Sequence, residues 1–280
     1  MLVNNISELN THLSNKKESN SVGLVPTMGA LHEGHLSLIE KAFRDSEIAV
    51  VTIFVNPTQF NNPEDLSKYP RTIEQDLNLI HKISEEVLVY VPNLKEIYPS
   101  GVESEHFEFG SVSSFMEGKF RTGHFDGVGT VVKRLFDLIK PNKAYFGKKD
   151  FQQLAVIKKL IEITGQNVRI IGCETYRENN GLAKSSRNKL LTDDEKKEAG
   201  IIFDNLKYIK NNFSKDSINN IVEKVKENFK KHDKFQLEYC QVADEETLTP
   251  TKQIESGKKY RAFIATYCND VRLIDNMSLN

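Results

Sequence analysis

Two histidines and two glycines are concentrated in one short segment, Met28-Gly29-Ala30-Leu31-His32-Glu33-Gly34-His35. His32 and His35 are three residues apart, so both imidazoles lie on the same side of a helix that begins here. Glycine lets the backbone approach a phosphate closely, and the amino terminus of a helix presents free N–H groups and a partial positive charge. The segment therefore predicts a binding site for a ligand such as a nucleoside triphosphate.

Two other interpretations of the histidine pair are open from the residues alone. One is a metal site, but a zinc protease helix requires His-Glu-x-x-His with a spacing of four, and the sequence offers no obvious third ligand. The other is that the histidines only cap or fill a turn. The strand-like residues before the segment, its glycines and the pairing of the histidines together favour the phosphate site.

Two further segments combine positive charge with hydrogen-bond donors: Gly147-Lys148-Lys149-Asp150 and Lys184-Ser185-Ser186-Arg187. Two hydroxyl groups and a guanidinium fork suit phosphate oxygens, although a serine helix cap followed by an exposed arginine gives the same pattern. A lysine pair alone is typical of a solvated surface. Asp150 is suited either to cap the helix that follows it or to hold a ribose.

The elements that must position these segments follow from the alternation of short β-branched runs with helical stretches between residues 22 and 174. The pattern predicts parallel strands at residues 22–25, 48–55, 87–91, 143–146 and 168–172, with helices at 36–46, 73–83, 128–139 and 151–164. The run 48–55 is nearly all apolar, so we expect it at the centre of the sheet. Gln59 follows it, at the edge where ligands collect, and its amide can hydrogen-bond a hydroxy acid.

The pattern changes after residue 174. A polar stretch precedes two charged amphipathic helices, at residues 192–211 and 217–231, and strands at 235–243, 259–265 and 272–274 that we expect to be antiparallel. The predicted fold is therefore α/β, with a Rossmann-like parallel sheet flanked by helices in residues 1–175 and a smaller α+β domain in residues 176–280.

Composition limits the classes of function. The 280 residues include 39% hydrophobic and 28% charged residues, and the net charge of −1 supplies no general attraction to nucleic acid or to an anionic membrane. No apolar run approaches the roughly 20 residues of a membrane span, and the first 20 residues lack an apolar signal core, so a cytoplasmic enzyme is expected. Cys173, Cys240 and Cys268 match no disulfide framework or zinc pattern and are expected to be reduced and packed.

The segment 26–35 resembles the nucleotide-binding signature of the pantothenate synthetase (pantoate-beta-alanine ligase) family, within the His-x-Gly-His nucleotidylyltransferase superfamily. Four further segments match that family in the same order, at residues 54–60, 69–72, 145–154 and 181–188. The resemblance covers about the first 190 residues strongly, and the remainder by length and general pattern.

The resemblance implies that the protein condenses pantoate with β-alanine, cleaving ATP to AMP and pyrophosphate through a pantoyl-adenylate. It implies that Gln59 and Gln153 hold pantoate, with Gln59 also bordering the β-alanine site, and that Tyr176 and residues 28–35, 147–150 and 184–187 bind ATP. The residues expected to act in catalysis are His32, His35, Lys149, Ser185, Ser186 and Arg187. Mg²⁺ is expected with Asp76 as its candidate ligand, the smaller domain is expected to close over ATP, and a homodimer is expected.

Three residues depart from the family pattern. Lys184 stands where Leu or Met is usual, Asn180 where Asp is usual, and Tyr176 where a small β-branched residue commonly lies beside adenine. Lys184 could add a further cation to the pyrophosphate site. The alternative functions are another nucleotidylyltransferase of the same fold and a non-catalytic ATP-binding module, whereas ligation to transfer RNA is disfavoured because the chain offers no obvious basic surface.

Overall fold

The computed structural model describes residues 1–14 and 21–280, which divide into two compact units. The first unit comprises Met1–Phe109, Arg121–Lys148 and Gln153–Glu174. The second comprises Gly110–Phe120, Lys149–Gln152 and Thr175–Asn280. Two short segments that precede residue 175 are therefore grouped with the second unit.

A six-stranded parallel sheet forms the centre of the first unit. Its strands are β1 (Leu2–Val3), β2 (Val22–Thr27), β3 (Ile48–Ile53), β4 (Leu88–Tyr90), β5 (Lys143–Gly147) and β6 (Arg169–Cys173), in the order β1-β4-β3-β2-β5-β6. All six residues of β3 are buried, and β3 pairs with β2 and β4. The predicted parallel sheet with this strand in its middle is confirmed. The sequence did not predict β1, because two residues are too few for a pattern.

Helices flank this sheet. They are α1 (Ile6–Ser14), α2 (Glu33–Asp45), α3 (Pro63–Lys68), α4 (Ile73–His81) and α5 (Leu94–Ile97), then α7 (His124–Ile139) and α8 (Phe151–Thr164). The four predicted helices are all present, but α7 begins four residues earlier than expected. Gly127 and Gly129 are poor helix formers, so the sequence did not predict this start. Gly127 is needed because a Cβ there would lie 2.5 Å from the backbone oxygen of Thr58.

The second unit contains an antiparallel sheet of β7 (Phe235–Asp244), β8 (Tyr260–Cys268) and β9 (Val271–Ser278), in that order. Its helices are α6 (Glu117–Phe120), α9 (Asp193–Glu198), α10 (Gly200–Asn212) and α11 (Ile218–Phe229). The predicted antiparallel strands are confirmed. The prediction of a single helix over residues 192–211 is wrong. The helix is interrupted at Ala199, which lies between the end of α9 and the start of α10.

The three cysteines are buried thiols. Cys173, Cys240 and Cys268 are free and buried, as predicted. Burial raises the pKa of the Cys240 thiol to about 12 and that of Cys268 to about 11, so both remain protonated and unreactive at neutral pH. In residues 1–14 and 21–280, no helix has the length and apolar character to cross a membrane.

Candidate active site

The segment that links β2 to α2 has an unusual backbone. Gly29 and Ala30 both have positive φ, +78° and +51°, so two consecutive residues adopt the left-handed conformation. A Cβ at Gly29 would lie 3.0 Å from Cγ2 of Ile53, a tight contact, and the positive φ strongly favours glycine at this position. At Ala30 the same conformation carries a steric cost, which the surrounding contacts must offset.

Asp76 supplies the contacts that stabilise this backbone. Its carboxylate, 1% exposed, accepts hydrogen bonds from the backbone N–H of Ala30 at 2.9 Å and of Leu31 at 2.7 Å. The Thr72 hydroxyl lies 3.3 Å from each carboxylate oxygen. Both oxygens are therefore directed at groups of the protein, and Asp76 does not fit the metal-ligand role predicted for it. No group of three or more His, Cys, Asp or Glu side chains that could hold a metal occurs in residues 1–14 and 21–280.

The histidine pair lies where the sequence predicts. His32 is the N-cap of α2, and its Nδ1 accepts a hydrogen bond from the backbone N–H of Gly34 at 3.1 Å. In a neutral imidazole the proton is then on Nε2, which makes that atom a donor. The rings of His32 and His35 stack, with centroids 4.0 Å apart and planes inclined by 27°. His32 thus caps the helix through one nitrogen while its other nitrogen can serve a ligand, so capping and ligand binding are compatible.

Gln59 is held by the loop that follows β3. It ends a short 3-10 helix, Pro57–Gln59, and its Oε1 accepts a hydrogen bond from Asn56 Nδ2 at 3.1 Å. Asn56 is 1% exposed and also donates to the carbonyl of Gly127 at 3.1 Å, while its Oδ1 accepts from the hydroxyl of Tyr98. Nε2 of Gln59 lies 3.0 Å from Sδ of Met28. The structure therefore brings Gln59 next to the segment 28–35, in the first unit.

Two residues around Gln59 were not singled out from the sequence. Nδ1 of His124 lies 2.9 Å from the backbone oxygen of Gln59, and Nη2 of Arg121 donates to the same oxygen at 3.4 Å. Nε2 of His124 lies 3.2 Å from Nη1 of Arg121. His124 therefore donates through Nδ1 and accepts through Nε2. The only signal in the sequence is a basic pair around a glycine, Arg121-Thr122-Gly123-His124, and it does not indicate a partner 65 residues away.

The segment 147–150 repeats the succession of strand, turn and helix. β5 ends at Gly147, a 3-10 helix covers Lys148–Asp150, and α8 begins at Phe151. The two lysines differ in their surroundings. Lys148 forms an ion pair with Glu174, whereas Nζ of Lys149 lies 3.6 Å from the carboxylate of Asp150, and the Lys149 side chain is only 18% exposed.

The adjacent glutamines at the start of α8 also differ. Gln152 is 4% exposed, accepts a hydrogen bond from the backbone N–H of Glu117 at 3.0 Å, and donates to the carbonyls of Val112 and Phe115. Its amide is therefore committed to the packing of the second unit. Gln153, predicted to hold pantoate, is half-buried.

The segment 184–187 follows a hairpin in which Arg177 pairs with Ala183. Ser185 caps the 3-10 helix Ser186–Leu190, accepting a hydrogen bond from the backbone N–H of Arg187 at 3.3 Å, so the helix-cap interpretation of this serine is correct. Ser186 is buried and Arg187 is half-buried. Capping fixes the turn from which both side chains project.

All three departures from the family pattern lie in this hairpin. The backbone N–H of Lys184 donates to the carbonyl of Tyr176 at 2.9 Å, and Nζ of Lys184 lies 2.7 Å from the carboxylate of Glu178. Nδ2 of Asn180 donates to the carbonyls of Lys196 and Lys197, at the end of α9. A carboxylate could not donate there, so the amide at position 180 has a structural reason. Tyr176 is 45% exposed.

Asp275 and Asn276 are neighbouring residues of β9 that the sequence did not predict to have a role. Asp275 contacts the hairpin before Ser185, and Asn276 contacts the segment that contains Lys149. Arg177 forms a two-point ion pair with Asp275, at 2.5 and 3.0 Å, and burial raises the pKa of Asp275 although Arg177 opposes that effect. Nδ2 of Asn276 donates to the backbone carbonyl of Lys149 at 2.7 Å, and its Oδ1 accepts from Arg261. Asp275 therefore fixes the hairpin before residues 184–187, and Asn276 fixes the segment of Lys149.

Comparison with known proteins agrees with this arrangement. The sequence profile of the pantoate-beta-alanine ligase family matches residues 1–278. The pantothenate synthetase of Christiangramia forsetii is 51% identical over 95% of this chain and 94% of that protein, and that of Flavobacterium psychrophilum is 48% identical over 94% and 93%. The crystal structure of pantothenate synthetase from Thermus thermophilus superposes with a TM-score of 0.90 at 37% identity, covering 99% of both chains. The pantoate-beta-alanine ligase of Francisella tularensis, crystallised with beta-gamma ATP and beta-alanine, gives a TM-score of 0.83 at 35% identity, covering 100% of this chain and 97% of that one. The chain therefore belongs to the pantoate-beta-alanine ligase family.

Proposed function

We propose that the protein condenses pantoate with β-alanine, using ATP and releasing AMP and pyrophosphate through a pantoyl-adenylate. The observation that carries this proposal is the turn between β2 and α2, in which two stacked histidines begin the helix beside Gln59 in a chain of this family. The Francisella tularensis relative was crystallised with beta-gamma ATP and beta-alanine, which supports the proposal.

The first chemical step sets the requirements for the site. A carboxylate that attacks the α-phosphorus of ATP meets a strong electrostatic barrier, so the protein must neutralise the triphosphate and align the acid with the departing pyrophosphate. The neutral amine of β-alanine then attacks the acyl carbon of the mixed anhydride, and AMP leaves. This reaction needs no covalent enzyme intermediate.

His32 and His35 are proposed to supply hydrogen-bond donors, and the glutamines are proposed to bind pantoate. Nε2 of His32 is a donor because Nδ1 accepts the Gly34 N–H, and the stacked His35 fixes the plane of both rings. Gln59 and Gln153 are proposed to bind the hydroxyls and carboxylate of pantoate. Asn56 orients the Gln59 amide by donating to its Oε1, and Nε2 donates one of its two hydrogens to Sδ of Met28, so the second hydrogen of Nε2 is the one proposed to serve pantoate.

Lys149, Ser185, Ser186 and Arg187 are proposed to contact the triphosphate. Lys149 and Arg187 supply positive charge, and the two serines supply hydroxyl donors. Ser185 caps the 3-10 helix and so orients the backbone beside Arg187. The expectation that residues 176–280 close over ATP remains a prediction, as do the homodimer and the cytoplasmic location. Sedimentation or light scattering of the purified protein checks the homodimer, and fractionation of the cells checks the location.

Magnesium is proposed to arrive as part of the substrate, MgATP. Mg²⁺ usually keeps several waters and bridges phosphate oxygens, with only one or two protein carboxylates. Asp76 is not proposed as such a carboxylate, since its oxygens accept the Ala30 and Leu31 amides.

One experiment tests the function and separates it from the alternatives. The purified protein is mixed with ATP, Mg²⁺, pantoate and β-alanine, each is omitted in turn, and the products are identified by mass. Pantothenate and AMP are expected to accumulate only in the complete mixture. The mixture without β-alanine is expected to form pantoyl-adenylate and pyrophosphate and so to support exchange of labelled pyrophosphate into ATP. A dinucleotide product would indicate another nucleotidylyltransferase, and ATP binding without pantoate-dependent turnover would indicate a non-catalytic module.

A further inference from the structure

The hairpin before Ser185 carries an ion pair between two residues on its opposite arms. Three backbone hydrogen bonds define the hairpin: Lys184 N–H to Tyr176, Glu178 N–H to Leu182, and Gly181 N–H to Glu178. Position 178 is thus a diagonal neighbour of position 184, within reach of a long side chain. Nζ of Lys184 lies 2.7 Å from Oε1 of Glu178.

This ion pair is partly exposed to solvent. The Lys184 side chain is 19% exposed and that of Glu178 is 38% exposed, so water still reaches the carboxylate. Pairs of this kind contribute little to stability because solvent screens them and two long side chains lose freedom. A multiply charged anion brought close to the lysine attracts it more strongly than the single charge of the Glu178 carboxylate does.

The frame around the pair is held by other contacts. Arg177, on the first arm, is fixed by its two-point pair with Asp275 and by its position over the ring of Phe203, 4.4 Å from the centroid. A Cβ at Gly181 would lie 2.0 Å from Phe203, so the turn packs directly on that ring. Lys184 can therefore exchange partners by rotating its side chain while the hairpin backbone stays in place.

Lys184 also adjoins the residues proposed to bind the triphosphate. It directly precedes Ser185, which caps the turn that carries Ser186 and Arg187. We propose that Lys184 is a specificity residue for the triphosphate, held by Glu178 in the ligand-free protein and transferred to the pyrophosphate part of ATP when the nucleotide binds. This proposal rests on the proposed function for its ligand.

Opposite effects of the two partners distinguish this exchange from a structural ion pair. Loss of Lys184 removes a phosphate contact, whereas loss of the Glu178 charge removes the competitor. In a merely structural pair, both losses would disturb the hairpin in the same direction. The double variant should behave like the lysine variant, because Glu178 acts only through Lys184.

The test measures binding of ATP and of adenosine by calorimetry for Lys184→Met, Glu178→Gln and the double variant. Lys184→Met should weaken ATP binding about three- to tenfold, and Glu178→Gln should tighten it about two- to fivefold, the range expected for a partly exposed ion pair. Adenosine binding should be the same in all variants. A matched control is the pair of Lys234 and Glu198, which has the same 2.7 Å distance and a glutamate 37% exposed. Lys234→Met and Glu198→Gln should leave ATP binding unchanged.

Each other outcome has a definite meaning. Shifts of ATP affinity in the same direction for Lys184→Met and Glu178→Gln, no shift, or an equal shift for adenosine would overturn the exchange. Pantoate-dependent pyrophosphate exchange is measured on the same samples. If it is absent while the opposite shifts in ATP affinity are present, the proposed function fails and the role of Lys184 stands. If the unaltered protein binds no ATP, both fail.

Discussion

The side-chain amide of Asn276 donates a hydrogen bond to the backbone carbonyl of Lys149, 2.7 Å away. The same side chain accepts a hydrogen bond from Arg261, so its orientation is fixed from both sides. Lys149 is thereby positioned by its backbone, while its amino group lies 3.6 Å from the carboxylate of Asp150. Asn276 acts through Lys149 and is a positioning residue.

Replacement of Asn276 by Asp removes the donor to Lys149 and keeps the acceptor for Arg261. We expect kcat/KM to fall about tenfold, since one hydrogen bond to a carbonyl is worth about 1 kcal/mol and an unsatisfied buried group adds to the loss. Steady-state kinetics measures this effect. Asn212→Asp is the matched control, because Asn212 likewise donates its amide to a carbonyl, that of Tyr208 at 2.8 Å, within α10. Equal losses of activity in both variants would contradict the positioning role.

Asp76→Asn replaces one carboxylate oxygen by an NH₂ group that faces a backbone N–H. We expect the free energy of unfolding to fall by about 1–3 kcal/mol and ATP binding to weaken, because the left-handed backbone at Ala30 loses the charge that holds it. Thermal unfolding and calorimetry measure the two effects. A metal ligand would behave differently: if raised Mg²⁺ concentration restores activity to Asp76→Asn, the positioning role is wrong.

His32 combines helix capping with a donor for a ligand, and two substitutions separate these roles. His32→Asn preserves a good N-cap, whereas His32→Ala loses it, at a cost of about 1 kcal/mol in the free energy of unfolding. We expect both variants to lose pyrophosphate exchange and only the alanine variant to lose stability. Normal exchange by His32→Asn would show that the histidine serves only as a cap.

His35→Ala should cripple adenylate formation while leaving the fold intact, since His35 is not the cap of α2. Pantoate-dependent exchange of labelled pyrophosphate into ATP measures the effect, and circular dichroism checks the fold. Near-normal exchange would refute the assignment of this histidine.

Gln153→Ala should weaken pantoate binding far more than ATP binding, as expected for a residue that holds the acid. The adjacent Gln152 provides the control, because its amide bonds to Glu117, Val112 and Phe115. Gln152→Ala should lower the free energy of unfolding by about 1–3 kcal/mol, since it leaves buried backbone groups without partners. Calorimetric titration with each ligand checks the first expectation, and equal losses for pantoate and ATP would contradict it.

The local arrangement of the site could be predicted from the sequence because it depends on neighbouring residues. A strand, a glycine turn and a helix start lie within about ten residues of one another, and the spacing of His32 and His35 places both rings on one side. The central strand β3 was equally clear, since all of its residues are apolar or β-branched. These features follow from local periodicity.

The contacts that hold the site could not be predicted in this way. Asp76 meets Leu31 across 45 residues, and Asn276 meets Lys149 across 127, and no periodicity relates such positions. From the sequence alone, an aspartate in the first turn of a helix can be interpreted as a helix cap or as a metal ligand. Only the closure of the fold directs its oxygens at the amides of a distant loop.

The order of synthesis gives the bond between Asn276 and Lys149 a further consequence. Asn276 is the 127th residue that the ribosome adds after Lys149, so every nascent chain contains the lysine long before it contains the amide that orients it. A message cut short before β9 therefore yields a polypeptide whose parallel sheet is already encoded in full, yet whose lysine segment has no anchor. We therefore expect full activity only from chains that extend through β9.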